Sequence, residues 1–171
     1  CIGWSGSFST IIHFQHIMNS LILLKKKYGP RIYFKVIGDE TFVSKDLGIK
    51  GIAWSKSTEV QELMEIDIGI MPLPDDKWSK GKCGLKALQY MALGIPAIIS
   101  PVGVNSLIIR DGFNGYLADG EDEWVEKLSM LIDSERKREL YGQNGRKTVE
   151  DHYSVKANKS LYLKAIESVI A

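Results

Sequence analysis

The chain has 171 residues, ordinary for one domain and enough to bury roughly 70% of the surface its unfolded form exposes. Charged residues make up 25% and hydrophobic ones 44%, the balance of a globular cytosolic protein rather than a disordered one. A formal net charge of +1 argues against a general nucleic-acid binder, so any recognition of anions must be local.

No apolar stretch nears the ~18 residues that a bilayer span needs, and no signal-peptide pattern is present. The two cysteines do not amount to a disulfide framework. The chain opens at Cys1, inside what reads as a strand and without an initiator Met, so a fragment or excised domain of something longer is expected.

In chain order, residues 1–4 read as a strand, followed by a Ser/Gly turn at 5–9. Residues 10–27 read as one helix, with Ile11, Phe14, Ile17, Met18, Leu21 and Leu24 on one face. Lys25, Lys26 and Lys27 close it favourably for the helix dipole, and Gly29 with Pro30 stops it. Strands follow at 32–37, ending on Gly38 and Asp39, and at 49–54. Ser57 or Thr58 caps a helix over 59–64, and 66–71 is a near-continuous apolar strand. Residues 72–82 then form a loop longer than the usual four to six. A helix over 84–93, a strand over 97–100, a short helix over 105–109 and a strand over 113–117 come next. The rest is helical, over 121–134, 135–152 and 155–170, with Ser154 as a cap for the last.

Apolar strands alternating with helices imply a doubly wound α/β domain, a parallel sheet of about six strands with helices on both faces. In such folds ligands sit outside the carboxyl ends of the strands, where strand order reverses. Gly6 and Ser7, Gly38 and Asp39, Trp54 and Ser55, the 72–82 loop and the 101–105 turn all fall at those ends.

The segment 78–100 carries the most chemical information. Lys80, Lys82 and Lys86 crowd the start of the 84–93 helix, where aligned peptide dipoles already leave partial positive charge. A cation there is disfavoured by roughly 0.3–1 kcal/mol at an exposed terminus, so the placement makes sense if an anion occupies the site. Free backbone N–H groups, the dipole and the ammonium groups together form a phosphate cradle. Lys82, Lys86 and Gln89 share one helical stripe, with Leu85, Leu88 and Ala92 on the opposite side, expected to face the core. Lys82 and Lys86 would contact a diphosphate, Gly84 would let its oxygens approach the backbone, and Gln89 would reach a ribose hydroxyl. A solvated lysine face on a surface helix is the bland alternative.

Other features are less specific. The turn from Gly6 to Thr10 either lines a phosphate pocket or supplies a helix cap through Ser9 or Thr10. It is not a Walker loop, and the three-glycine dinucleotide fingerprint is missing. Trp54 either stacks on a nucleobase or simply packs. His13 and His16 lack ligand partners and read as a polar helix face rather than a metal site. Asp75 and Asp76 either approach a cation or keep a loop hydrated, and Cys83, beside lysines, has no partner base that would make it a catalytic thiol. The turn at 111–115 reads as geometric. No Ser-His-Asp set, metal motif or Cys-x-x-Cys pair is evident, so the catalytic residues stay unassigned.

The run GKCGLKALQYMALGIP (81–96), followed by SPVGVN (100–105), DGFNG (111–115), NGRKTVE (144–150) and HYS (152–154), resembles a family-4 (group 1) glycosyltransferase over essentially the whole chain. The resemblance implies the carboxy-terminal, donor-binding half of a GT-B enzyme, two Rossmann-like domains facing each other across a cleft. It also implies retaining transfer from a nucleotide diphosphate sugar, UDP- or GDP-linked, with no cofactor and typically no metal. The amino-terminal half, absent from this chain, would hold an acceptor glycan or glycolipid.

By the same resemblance, Gly6, Ser7, Lys82, Gly84, Leu85 and Lys86 fall at the diphosphate, Gln89 at the ribose, and Trp54 and Ser55 at the base. Gly103, Val104 and Asn105 fall at the donor sugar. The family's two glutamates eight positions apart correspond here to Gly81 and Gln89, an Arg after the first loop glycine to Ser7, and a third acidic position to Leu107.

Polysaccharide or glycoconjugate synthesis is the implied setting, in the bacterial cytoplasm or at the inner face of the membrane, where the full-length protein would make peripheral contact. The isolated fragment would bind donor or nucleotide weakly and transfer nothing. The substitutions at Gly81, Ser7 and Leu107 leave open a degenerate module that kept only a nucleotide or protein contact. A nucleotide-dependent epimerase is disfavoured by the missing glycine fingerprint.

Overall fold

The computed structural model describes residues 1–170. Its centre is a five-stranded parallel sheet of β1 (Ile2–Ser5), β2 (Phe34–Ile37), β5 (Ile68–Met71), β6 (Ala97–Ile99) and β7 (Gly115–Leu117), in the order β2-β1-β5-β6-β7. Two short strands, β3 (Val43–Ser44) and β4 (Ile49–Lys50), pair antiparallel in a ribbon of their own.

Alternation along the strands decides which face each side chain serves. Ile68, Ile70 and Ile98 enter one core with Phe14, Leu21, Leu24, Trp124, Leu128 and Leu131. Met71, Ala97 and Ile99 enter the other with Leu63, Ala87, Tyr90, Met91 and Ile108. Both faces of the sheet are therefore covered, as the apolar strand runs require.

The helices are α1 (Ile11–Gln15), α2 (Met18–Tyr28), α3 (Glu59–Met64), α4 (Lys77–Lys80), α5 (Leu85–Ala92), α6 (Asn105–Ile108), α7 (Gly120–Ile132), α8 (Glu135–Thr148) and α9 (Val155–Ile170), of which α4 and α9 add no side chain to the two cores. Among the described residues no helix is long and apolar enough to cross a membrane.

Several expectations are corrected. The segment 49–54 does not form a sixth full strand. Gly51 N donates to Phe42 O at 2.8 Å, turning the segment into the local ribbon. Only Ile52 reaches the sheet, through a parallel bridge to Ile37, with Ile52 N donating to Val36 O and Gly38 N to Ile52 O. With that bridge the spatial order becomes the Rossmann order 3-2-1-4-5-6, so the topology survives with five strands.

The helix expected over 10–27 is broken. A 3-10 turn at Phe8–Thr10 leads into α1, and His16 and Ile17 interrupt it with i→i−3 bonds before α2. The apolar face runs through the break: Phe14, Ile17, Leu21 and Leu24 are all buried. The 72–82 loop contains α4, capped by Asp76, whose Oδ1 accepts from Ser79 N at 2.6 Å. Helix α8 ends at Thr148 and passes into a π-helical turn, Val149–Tyr153.

Candidate functional site

The reversal of strand order lies between β1 and β5, and the loops after those strands border the crevice there. Helix α5 points its amino end at it. Tyr90, fully buried, anchors the helix: its hydroxyl accepts from Ser5 N, at the end of β1, at 3.0 Å. Met91 and Ala87 complete the buried side. Leu85, by contrast, is 58% exposed, and Leu88 and Ala92 are half-buried. The core-facing side is thus Ala87, Tyr90 and Met91, because the helix packs on the sheet through Tyr90. That leaves Leu85 at the crevice.

The helix start is uncapped. Gly84, at the cap position, adopts φ 70° and offers no side chain. A Cβ there would lie 2.3 Å from Ile108 Cδ1, so glycine is required on two counts. The amides of Leu85, Lys86 and Ala87 find no acceptor among the described residues. Lys82 and Lys86 are half-buried beside them. Neither has a carboxylate within 4.0 Å among the described residues. Burial, and then repulsion from Lys82, pull the Lys86 pKa below the usual lysine value. Lys80 behaves differently, since α4 carries it into an exposed pair with Asp75 at 2.8 Å.

The first loop joins this cluster through Trp4. The buried indole lies under Gly6, where a Cβ would approach to 2.0 Å, and Lys86 Nζ stands 5.8 Å from the ring centroid. Ser7 caps the first turn: its amide donates to Thr10 Oγ1 at 3.0 Å, and its hydroxyl contacts Ser9 and Thr10. The cap of this turn falls at Ser7 and not at the expected Ser9 or Thr10.

Around Gly6 opens a groove of about 470 Å³, walled by Phe8, Gly38, Asp39, Thr41, Ala53 and Trp54. Trp54 is 50% exposed and Ser55 is exposed, so the indole face is open to a ligand. A second hollow of about 220 Å³, between His16, Ser20, Pro74, Ser100, Asp119 and Trp124, holds none of the lysines.

His13 on α1 belongs to the same charged cluster. Burial, then the charges of Lys82 and His16, lower its pKa, with Asp76 acting the other way. Its Nδ1 is buried without a hydrogen-bond partner. Among the described residues no group of three or more His, Cys, Asp or Glu side chains could hold a metal ion.

These features converge with sequence comparison. The family model for glycosyl transferases group 1 matches residues 13–148. The chain belongs to that family. A D-inositol 3-phosphate glycosyltransferase of Corynebacterium urealyticum is 27% identical over 103 residues, covering 56% of this chain and 23% of the relative. Among solved structures, the C-terminal domain of a glycosyl transferase group 1 family protein from Francisella tularensis superposes with TM-score 0.71 at 26% identity. The match covers 90% of this chain and 86% of that one. HepE of Anabaena, solved with UDP and glucose, shares the fold at TM-score 0.77 and 16% identity, over 98% of this chain and 48% of its own. The matched stretches span only 18% to 23% of the curated relatives' lengths.

Within this group 1 glycosyltransferase fold, the atypical positions can be located. Gly81 is the exposed residue that ends α4, and Leu107 is 80% exposed, so neither supplies a carboxylate. Gln89 is half-buried and donates through Nε2 to Glu59 Oε1 at 3.1 Å. Gly103 abuts α4, where a Cβ would meet Lys80 O at 2.7 Å. The amides of Gly103 and Val104 have no acceptor among the described residues. The Asn105 side chain is only 1% exposed and donates to Ser100 O at 2.9 Å, so it shapes the turn from inside instead of facing a sugar.

Sequence reading set His13 aside as part of a polar helix face and did not single out Trp4, inside β1, or Glu59, the first residue of α3.

Proposed function

We propose that the chain is the carboxy-terminal, donor-binding half of a retaining, family-4, GT-B glycosyltransferase. It binds a nucleotide diphosphate sugar, UDP- or GDP-linked, for transfer to an acceptor glycan or glycolipid held by an amino-terminal half. Polysaccharide or glycoconjugate synthesis at the cytoplasmic side of a bacterial membrane is the setting this reading implies.

One observation carries it: an uncapped helix start with unclaimed amides and two half-buried lysines that have no acidic partner among the described residues. Like charges crowded at the positive end of a helix are unfavourable unless an anion joins them. HepE supports the reading, having been solved with UDP and glucose on the same fold.

Cleavage of a glycosyl–phosphate bond builds negative charge on the leaving diphosphate. The Lys82 and Lys86 ammonium groups and the amides of Leu85 and Lys86 would meet that charge in place, lowering the barrier electrostatically without an enzyme nucleophile. Trp54 would lie against the base, with Ser55 beside it. The backbone of Gly103 and Val104 would meet the sugar, and Gly6 would let the diphosphate approach β1. No cofactor is called for, because the lysines supply the cationic charge.

The test is calorimetry of the Lys82→Ala, Lys86→Ala double variant. Nucleoside diphosphate binding should fall by roughly 100-fold or more, the loss of two charge-assisted contacts, while bare nucleoside binding changes little. Equal losses for both ligands would refute the phosphate assignment.

A further inference from the structure

The groove beside Gly6 holds a carboxylate for which the diphosphate cradle has no use. Asp39, two residues past the end of β2, is only 7% exposed, and no cation lies within 4.0 Å of it among the described residues. Its backbone oxygen is closed off. Phe42 N donates to that oxygen at 3.3 Å, and Gly51 packs so near that a Cβ there would lie 2.0 Å away. Asp39 Oδ1 accepts twice from Thr41, from the amide at 3.0 Å and from the hydroxyl at 2.6 Å. Oδ2 has no partner among the described residues. The unpartnered side-chain atoms sealed from solvent there belong to His13, Ser79 and Asn105, so Asp39 Oδ2 keeps an opening. That opening is the groove, which Asp39 lines.

A carboxylate offers about four acceptor sites, and with Oδ1 taken by Thr41 the two that remain lie on Oδ2. Around it the groove of about 470 Å³ carries two exposed aromatic side chains, Phe8 and Trp54, and no lysine or arginine among the described residues lines it. Glu40 adds a second negative charge to the wall, so an anion is disfavoured at this end. The matching ligand is a flat ring with N–H donors on its edge, which an aromatic face can stack against while Oδ2 takes the donors. Among the nucleobases guanine places two donors side by side, the N1–H and the 2-amino group. Uracil has a single N–H between two carbonyl oxygens, which a carboxylate repels. In adenine and cytosine the amino group adjoins a ring nitrogen that only accepts.

We propose that Asp39 makes the site select guanine, its Oδ2 receiving the N1–H and 2-amino group of a GDP-linked donor while Trp54 stacks on the base. The inference rests on the nucleotide-sugar reading above and narrows it, since that reading admits UDP and GDP alike. Hydrogen bonds to an ionised acceptor are stronger than neutral ones, and a base without the donors leaves a carboxylate more than nine-tenths buried without a partner. Sites built on such pairing reject the mismatched analogue more sharply than apolar pockets do. If Asp39 served only the turn it makes with Thr41, its loss would shift stability and leave every base treated alike.

The experiment is calorimetry on the 171-residue chain with GDP, inosine diphosphate, which lacks only the 2-amino group, and UDP, with pyrophosphate as control. Wild type should bind GDP about tenfold tighter or more than either of the other two nucleotides. Asp39→Asn leaves an amide oxygen to accept from Thr41 and sets an NH2 in place of Oδ2. In that variant GDP binding should fall about tenfold or more. Xanthosine diphosphate, with a carbonyl in place of the 2-amino group, should gain on it, and pyrophosphate binding should hold. If Asp39→Asn does not fold, the comparison of GDP with inosine diphosphate on wild type carries the test by itself. Equal affinity for the three nucleotides, a preference for UDP, or an unchanged ratio of GDP to xanthosine diphosphate in the folded variant overturns the proposal. Absence of binding by every nucleoside diphosphate would instead overturn the nucleotide-sugar reading itself.

Discussion

His13 sits where burial and neighbouring cations both oppose its protonation, which favours the neutral imidazole. A diphosphate bound as proposed would bring negative charge next to Lys82 and Lys86 and raise the His13 pKa. Binding then takes up a proton, so affinity should increase as pH falls through the raised value and level off below the lowered one. UDP-glucose is the ligand to use, because its diphosphate is esterified at both ends, whereas a terminal phosphate titrates near pH 6 itself. Calorimetry from pH 8 to 5.5 should show a severalfold gain for wild type and a flat profile for His13→Gln. A matching slope in the variant would remove His13 from the site. Lys82 and Lys86 were legible in the sequence because charge at the wrong end of a helix is a local pattern. His13 and Glu59 were not, since each acquires meaning only from a residue far along the chain; Glu59 and Gln89 are 30 positions apart.

At the scale of elements, the site depends on α5 being held rigidly against β1. The Tyr90 hydroxyl, buried between helix and sheet, accepts the Ser5 amide at 3.0 Å, and Ser5 ends the strand that leads into Gly6. Tyr90→Phe leaves that buried amide without an acceptor, a loss of about 1–3 kcal/mol that urea denaturation should record as a lower midpoint at unchanged slope. Nucleoside diphosphate affinity should fall with it, because the helix start and the Gly6 loop lose their common tether. An unaltered midpoint would show that the hydroxyl contributes nothing to positioning α5. Helix α5 itself was plain from composition, but its buried side was misassigned, since Tyr90 could be apolar filler or surface aromatic until the sheet is in view. The sheet also explains the failed strand at 49–54. Its residues suit a strand, yet the Gly51 amide pairs locally with Phe42, and nothing in the sequence distinguishes a neighbouring ribbon from a distant edge. The break at His16 and Ile17 was invisible for the opposite reason, that the apolar periodicity continues across it.

At the scale of the whole molecule, alternating strands and helices fixed the topology, because parallel pairing and right-handed crossovers leave few arrangements, and ligands gather where strand order reverses. What alternation could not convey is how much of a cleft one such domain provides. Here the groove beside Gly6 is walled by Trp54, and Lys86 stands over Trp4 beneath the same glycine, while in the proposed reading the acceptor is held by another half of the protein. A ligand that binds only the folded state stabilises it by about 2.7 kcal/mol at a hundred times its dissociation constant. For a domain of this size, each kcal/mol moves the melting temperature by roughly 2–4 °C. The preferred nucleoside diphosphate at that excess should therefore raise the melting temperature of the 171-residue chain by about 5–10 °C, and the bare nucleoside by much less. The same chain given UDP- and GDP-sugars together with glycan acceptors should release no nucleoside diphosphate and form no glycoside, because binding the donor stabilises a leaving group without presenting a nucleophile. Robust transfer by this chain alone would mean that it carries an acceptor site of its own, and the assignment as a donor half would have to be given up.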